Sequence, residues 1–493
     1  MQRFNNLIGG VSTPPESGRW MPSLDPYKNE NWCEIPASGP ADVDKAVAAA
    51  RQAFESPAWA GLSATARGAL LRRLGDLITE NAQRLAELEV RDNGKLLNEM
   101  LLQLRTIPQW FYYYAGLADK VEGSVLPIDK ADQFVYTRWE PLGVVAAITA
   151  WNSPLLLLTW KIAPGLAAGN TFVVKPSEFT STSTLAFAEL FEQAGFPPGV
   201  VNVICGTGQE TGAALVAHPD VAKIAFTGSD GAGKAINQAA AGMLKQVTLE
   251  LGGKSPNIVF EDADLDAALA GVASGIFAAA GQTCIAGSRL LLQRSVHDAF
   301  LEKLRTMMQG VRIGDPFDPE TQIGPIANRP QYDKILTCIN EARDEGANVF
   351  WGGQALEHPS GGLFVEPTIF TAVDNTSVLA QREIFGPVLA VIPFEDEAEA
   401  VQIANGSRYG LAAGVWTQNM PRAFRMSKAL QAGTVWINTY RAVNFMAPFG
   451  GYKDSGLGRE NGQEMIKAYL QPKTVWINNS AQPPGNPFVM RLN

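Results

Sequence analysis

The chain has 493 residues, too many for one hydrophobic core, so two or three domains are expected. Its composition, 46% hydrophobic and 18% charged with a net charge of -9, is that of a globular protein and argues against nucleic acid or an anionic membrane as main partner. Four cysteines (Cys33, Cys205, Cys284, Cys338) do not make a disulfide scaffold and fit a reducing cytosol, so a cytoplasmic location is expected.

The segment "ADVDKAVAAARQAF" spaces Val43, Ala46, Val47, Ala50 and Phe54 as on a helix. "ATARGALLRRLGDLI" and "NAQRLAELEV" read the same way, so the first 115 or so residues are expected to be largely helical. Residues 121–141 change period and gain β-formers, which predicts strands or an arm. From Gly143 strands and helices alternate: "GVVAAIT", helical "LLLLTWKIAPGLAAG", "TFVVKP", a helix at 180–194, "VVNVIC", a helix at 209–217 and "KIAFTG". Repeated β-α-β of this kind predicts a parallel, doubly wound sheet of the α/β class. A second α/β region follows from about 253, with candidate strands "SPNIVF", "GSRLLLQ", "LAVIPF", "GVWT" and "TVWIN". The tail "KTVWINNS" alternates like a strand and needs a partner, for which another subunit is one source. There are no low-complexity segments or repeats. "MQRFNNLIGG" lacks the apolar core of a signal peptide, and the longest apolar runs fall short of a membrane span.

In "FAAAGQTCIAGSR" Cys284 sits among small residues that leave it reachable, unlike a cysteine used as core filling. That filling role is the reading given to Cys33, Cys205 and Cys338. His218, His297 and His358 stand near neither one another nor a cysteine at ligand spacing, so no metal site is expected. The glycines of "FTGSDGAGK" and "CGTGQETG" depart from G-x-G-x-x-G, and each turn alone is weak evidence for a phosphate site. "KPSE" (175–178) follows a strand, where a lysine and a glutamate suit ribose hydroxyls; on those four residues alone a solvated loop is the simpler reading.

The combination carries more than its parts. "TAWNSPL" with Asn152, "LELGGKSP" with Glu250, "FAAAGQTCIAGS" with Cys284, "EIFGPV" and "PFGGYKDSGLGRE" stand in this order along the chain. Over nearly its whole length the chain resembles the NAD(P)-dependent aldehyde dehydrogenase superfamily of the hydrolytic, non-acylating type. Two positions depart from that pattern: Ala150 replaces the usual proline before Trp-Asn, and Ala279 replaces an asparagine five residues before the cysteine. Neither carries the chemistry.

The resemblance implies a Rossmann-type cofactor domain (1–122 and 141–252) and a catalytic domain (253–454). It also implies an oligomerisation arm (123–140) with a tail (471–493), giving a homodimer or homotetramer. It implies that Cys284 adds to an aldehyde as a thiolate, that Asn152 and the Cys284 backbone N–H hold the oxyanion, and that Glu250 activates water to hydrolyse the thioester. By the same resemblance Lys175 and Glu178 hold the adenosine ribose, Gly228 and Ser229 lie by the pyrophosphate, Leu251 is a further cofactor contact, and Glu383 and Phe385 position the nicotinamide ribose and ring. NAD is the expected cofactor, with NADP as the alternative, because a carboxylate at 178 accepts from a free 2'-OH and repels a 2'-phosphate. Glu460 reads either as a second proton acceptor or as a salt-bridge partner, and the partner is favoured.

For the substrate pocket the resemblance points to Ser153, Trp160, Arg441 and Phe449, with Tyr440, Phe445 and Met446 near the mouth. Ser153 stands where relatives carry a bulky aromatic, which predicts a wider, more polar pocket for an aromatic or functionalised aldehyde. Arg441 reads as a rim arginine bonded to backbone or solvent, or as a fork for a substrate carboxylate. Two other classes compete: a cofactor-free thiol hydrolase using Cys284 and Glu250, which leaves the nucleotide motifs unexplained, and a non-enzymatic binding protein, which predicts a damaged constellation. An acylating enzyme that uses coenzyme A would lack the glutamate found at 250.

Overall fold

The computed structural model describes residues 1–482, 486 and 488. Two sheets organise it. The first has eight strands, and its five central ones are parallel. Across the sheet these run Gln246–Glu250, Val221–Thr227, Val144–Ile148, Thr171–Lys175 and Val201–Val203. Numbered along the chain the order is 3-2-1-4-5, the doubly wound order. It reverses between Val144–Ile148 and Val221–Thr227, and a crevice opens at the strands' carboxyl ends there. The strands read as unbroken apolar runs because both faces are covered: every residue of Val144–Ile148 and Thr171–Lys175 is buried. Helices Pro154–Ala168, Thr182–Gln193 and Asp230–Ala241 make the crossovers.

The second sheet has seven strands and a parallel centre containing all five candidate strands of the second α/β region. Sequence reading did not find two of its members, Asn348–Trp351 and Thr368–Thr371. Helices Leu265–Phe277, His297–Gln309 and Arg329–Asp344 lie in this part of the chain.

One expectation needs correcting. The first 36 residues are not helical but form five short strands, from Gln2–Arg3 to Glu30–Pro36. Asn6–Ile8 and Val11–Thr13 extend the first sheet at one edge. The helical part begins at Pro40 and includes the 30-residue helix Ala64–Asn93, capped by Gly94 in the left-handed region (φ 70°).

Gln133–Pro141 and Leu470–Asn478 pair antiparallel over nine residues, so the tail strand finds its partner within its own chain. Trp476 and Ile477 are exposed on it. The expected tail, 471–493, also takes in 483–485, 487 and 489–493, which lie outside the described residues. No helix among the described residues is long and apolar enough to cross a membrane.

Candidate active site

Three crossings of the chain meet where the first sheet ends. The turn after Val144–Ile148 carries Asn152 and leads into helix Pro154–Ala168. The strand Gln246–Glu250 ends on Glu250. The segment between helix Leu265–Phe277 and strand Arg289–Gln293 carries Cys284. That segment is wound tightly: Ala279, Ala280 and Gly281 have φ of 54°, 51° and 70° in succession. Alanine is strained there, whereas the asparagine expected at 279 tolerates it. Gly281 has no substitute, because a Cβ would lie 2.1 Å from the Gly386 carbonyl.

Cys284 is half-buried and stands at the junction of two cavities. On one side a groove is lined by Trp151, Gly228, Ser229, Leu251, Glu383 and Phe385. On the other side a cavity of about 290 Å³ is lined by Trp110, Ser153, Trp160, Ile285, Arg441 and Phe449. Asn152, Leu157 and Cys284 line both. All four expected pocket residues and five of the seven expected cofactor residues therefore lie beside the cysteine.

Asn152 Nδ2 donates to the Gln282 carbonyl at 3.0 Å, which ties the asparagine to the cysteine segment and leaves its second N–H without an acceptor among the described residues. Burial, with the Glu383 and Glu250 carboxylates adding to it, pushes the Cys284 thiol up to about 12. Burial thus works against the charged form of this group in the chain by itself.

Glu250 is 3% exposed and both its carboxylate oxygens lack a partner among the described residues. Burial first, then the neighbouring Glu460 charge, holds its pKa well above the ordinary carboxylate range, against a downward pull from Lys161. Glu460 is an ion-pair partner: its carboxylate meets Lys161, and both side chains are fully buried. Lys161 Nζ also donates to Thr227 Oγ1 at 2.7 Å. Burial also raises the pKa of Glu460.

In the first groove, Glu383 Oε1 accepts from the Gly253 N–H at 2.9 Å. Its approach requires glycine at 252, where a Cβ would lie 2.3 Å from Glu383 Oε2. Burial pushes the Glu383 pKa up to about 7. Phe385, at φ 61°, sets its ring edge-on to Trp151 with centroids 5.1 Å apart. Leu251 is fixed by its N–H to the Ser455 carbonyl (3.0 Å), and Gly228 N–H donates to the Glu250 carbonyl (3.0 Å). Ser229 caps helix Asp230–Ala241, whose N-terminus opens on the groove.

Glu178 lines a further cavity of about 650 Å³ whose other walls include Ile148, Val216, Phe226, Ala235 and Ile236. Glu178 Oε1 accepts from the Gly208 N–H at 3.5 Å, and Glu178 Oε2 lies 3.6 Å from Lys175 Nζ. Lys175 itself is buried, and its ammonium donates to the Pro176 carbonyl at 2.9 Å.

Arg441 donates to the Ser274 carbonyl at 2.9 Å, so its guanidinium is held at the rim by backbone. Tyr440 bonds the Ile285 carbonyl at 3.0 Å and braces the cysteine segment, while Phe445 packs on Trp110. Sequence reasoning missed Lys95, Trp110, Trp151, Lys161, Gln331 and Lys334. Only Lys161 carried a signal, as the sole charge in a wholly apolar helix. No group of acidic, histidine or cysteine side chains able to hold a metal occurs among the described residues.

Comparison with known proteins agrees with this geometry. The aldehyde dehydrogenase family model matches residues 13–475. The chain is 46% identical, over all of both chains, to a (Z)-2-((N-methylformamido)methylene)-5-hydroxybutyrolactone dehydrogenase of Acinetobacter baylyi. It is 45% identical to human retinal dehydrogenase 2, covering 94% of this chain and 89% of the relative. A solved NAD+ complex of an aldehyde dehydrogenase from Bacillus cereus superposes with a TM-score of 0.95 at 43% identity, over 97% of each chain. The betaine aldehyde dehydrogenase of Staphylococcus aureus, solved with NAD+, gives 0.95 at 40% identity over 97% of this chain and 98% of that one.

Proposed function

The chain belongs to the aldehyde dehydrogenase family, and from that premise we propose that Cys284 carries the acyl group and Glu250 releases it. The protein is an NAD-dependent aldehyde dehydrogenase, an oxidoreductase. The observation that supports the residue roles best is the position of Cys284, open to a nucleotide groove on one side and to a second cavity on the other.

The residues fit a dinucleotide. The 650 Å³ cavity has apolar walls for a base and a carboxylate, Glu178, held by the Gly208 N–H on one oxygen and facing the Lys175 ammonium with the other. The helix N-terminus at Ser229 suits a pyrophosphate, and Glu383 and Phe385, which line the same groove as Cys284, would hold the ribose and ring. Glu178 favours NAD over NADP. NAD held by these residues would supply the hydride acceptor.

The Cys284 thiol gives its proton to solvent, the sulfur adds to the aldehyde carbon, and the carbonyl electrons move to oxygen. The free N–H of Asn152 and the backbone N–H of Cys284 donate to that oxygen. Loss of hydride from the thiohemiacetal leaves a thioester. Glu250 then takes a proton from water, which attacks the thioester and frees the acid and the thiol. Glu250 lines neither cavity, so its side chain turns from the Lys161–Glu460 pair toward the sulfur to do this.

Residues 1–122 and 141–252 act as the cofactor domain and 253–454 as the catalytic domain. The arm 123–140 and the tail from 471 assemble a homodimer or homotetramer, which would cover exposed Trp476 and the open edges of their two-stranded sheet. The substrate cavity, with Trp110, Trp160 and Phe449 as walls, takes an unhindered aromatic or a functionalised aldehyde. The test is NADH formation at 340 nm from a panel of aldehydes without coenzyme A. No NADH, or an absolute need for coenzyme A, would sink the reading.

A further inference from the structure

One buried cation has no part in the chemistry described so far. Lys95, 3% exposed, follows the helix Ala64–Asn93 and lies behind Ser153, which lines the cavity on the aldehyde side. Its ammonium donates to Ser153 Oγ at 2.9 Å, the one hydrogen bond that either side chain makes among the described residues. The carboxylates behind it are each held on one oxygen by backbone, Glu89 by the Leu155 N–H at 2.9 Å and Glu99 by the Ala279 N–H at 3.2 Å, and neither takes a hydrogen bond from Lys95. Burial lowers the Lys95 pKa to about 8, against an upward pull from Glu99, so it remains an ammonium at neutral pH.

The consequence falls on Ser153. A hydroxyl has one hydrogen to give and two lone pairs to share. An ammonium can only donate, so Lys95 occupies a lone pair. Ser153 directly precedes helix Pro154–Ala168, yet its hydroxyl caps no helix N–H. Its own hydrogen has no protein acceptor among the described residues, and Ser153 lines the cavity with Asn152 and Cys284. The neighbouring cation polarises this O–H and strengthens it as a donor. No carboxylate is among the residues lining the cavity.

We propose that Lys95 and Ser153 form a donor site for an oxygen of the substrate, a ketone, ether or carboxylate oxygen within a few bonds of the aldehyde carbon. Lys95 acts as the positioning residue and Ser153 makes the contact. The proposal rests on the reading of this cavity as the aldehyde side. An alkyl chain in the same place leaves the O–H unpaired, so discrimination of about tenfold is expected for one hydrogen bond.

Isosteric pairs of aldehydes test it: 3-methoxypropanal against pentanal, and methoxyacetaldehyde against butanal, where an oxygen replaces one methylene. In the wild-type enzyme kcat/KM for the ether should exceed that of its alkyl counterpart by about tenfold in at least one pair. In Ser153→Ala and in Lys95→Met that ratio should fall to about one, and in Ser153→Thr, which keeps the hydroxyl, it should persist. A wild-type ratio of about one in both pairs overturns the proposal. So does a ratio that survives in either Ser153→Ala or Lys95→Met. Ser153→Ala is a surface change of the cavity and decides the matter even where Lys95→Met fails to fold. Failure of the pair alone leaves pentanal oxidised with a ratio of about one. Absence of NADH from every aldehyde overturns the aldehyde-oxidising function, and this donor site with it.

Discussion

Replacing Lys161 by methionine removes one charge from the centre of the fold while keeping the length of the stem. Lys161 and Glu460 are both fully buried, so no water can take over from the lost ammonium. Glu460 would keep only the field of Lys223, whose ammonium already donates to Thr248 Oγ1 at 2.8 Å. Thr227 Oγ1 would also lose its donor. Breaking a buried pair by removing one partner costs about 3–5 kcal/mol, since the remaining charge stays desolvated. At roughly 2.1 cal/mol/K of unfolding entropy per residue, a chain of 493 residues melting as one unit loses about 1 °C per kcal/mol, so Tm should fall by about 3–5 °C. Glu460 can escape by taking up a proton. Its pKa is already raised by burial, and loss of Lys161 removes a lowering influence. The penalty is therefore fully expressed above the folded-state pKa and shrinks as the pH falls through it. Scanning calorimetry of the wild type, Lys161→Met and the double variant Lys161→Met/Glu460→Gln at pH 8 and pH 6 measures this. The double variant should regain most of the loss. An unchanged Tm for Lys161→Met at pH 8, or a double variant no better than the single one, would refute the buried-pair argument.

Cys284→Ala should abolish aldehyde oxidation while NAD still binds, as measured by turnover and by fluorescence titration with NAD. In the wild type, iodoacetamide should alkylate Cys284 slowly at pH 7 and faster as pH rises toward its pKa of about 12, with acceleration on adding NAD. Glu250→Gln should still give a pre-steady-state burst of NADH but turn over at least about 100-fold more slowly. Because Glu250 works ionised and its pKa is raised, wild-type turnover should climb with pH above the ordinary carboxylate range, and the variant should lack that limb. Glu178→Gln should narrow the preference for NAD over NADP, read as the ratio of the two kcat/KM values; an unchanged ratio removes Glu178 from cofactor choice. Deleting 471–493 should give monomers or insoluble protein, and a normally assembled, soluble truncation would exclude the tail from assembly.

The parallel centre of each sheet was legible because burial on both faces demands unbroken apolar runs, and "GVVAAIT", "TFVVKP" and "GSRLLLQ" are such runs. What was not legible was structure whose pairing is decided elsewhere in the chain. Asn6–Ile8 has three residues and joins the first sheet because Leu7 meets Val203. Gly456–Leu457 has two, and closes the other edge against Leu249 and Glu250. Neither is long enough to show a period of two. The nine-residue pairing of Gln133–Pro141 with Leu470–Asn478 shows the same dependence: both strands were readable, but the choice between an internal and an external partner was not.

The site divides in the same way. Cys284, Asn152 and Glu250 were legible because a reachable cysteine, an amide at a strand end and a glutamate in an apolar setting each leave a local trace. Of the buried lysines Lys161 and Lys95, only Lys161 leaves one. Lys161 lies in "LLLLTWKIAPGLAAG", where every other side chain is uncharged, and a buried ammonium without a counter-charge would cost several kcal/mol. The sequence therefore requires a partner for Lys161 but cannot say which, since Glu460 is 299 positions away. Lys95 is harder still. It lies in "RDNGKLLNEM" among other charged residues and looks like an ordinary surface lysine, yet it is 3% exposed and faces Ser153. A local pattern can show that a charge is unusual only where its neighbours are apolar. Where they are polar, burial is set by helices packed on it from elsewhere, and only the fold reveals that the lysine is part of the site.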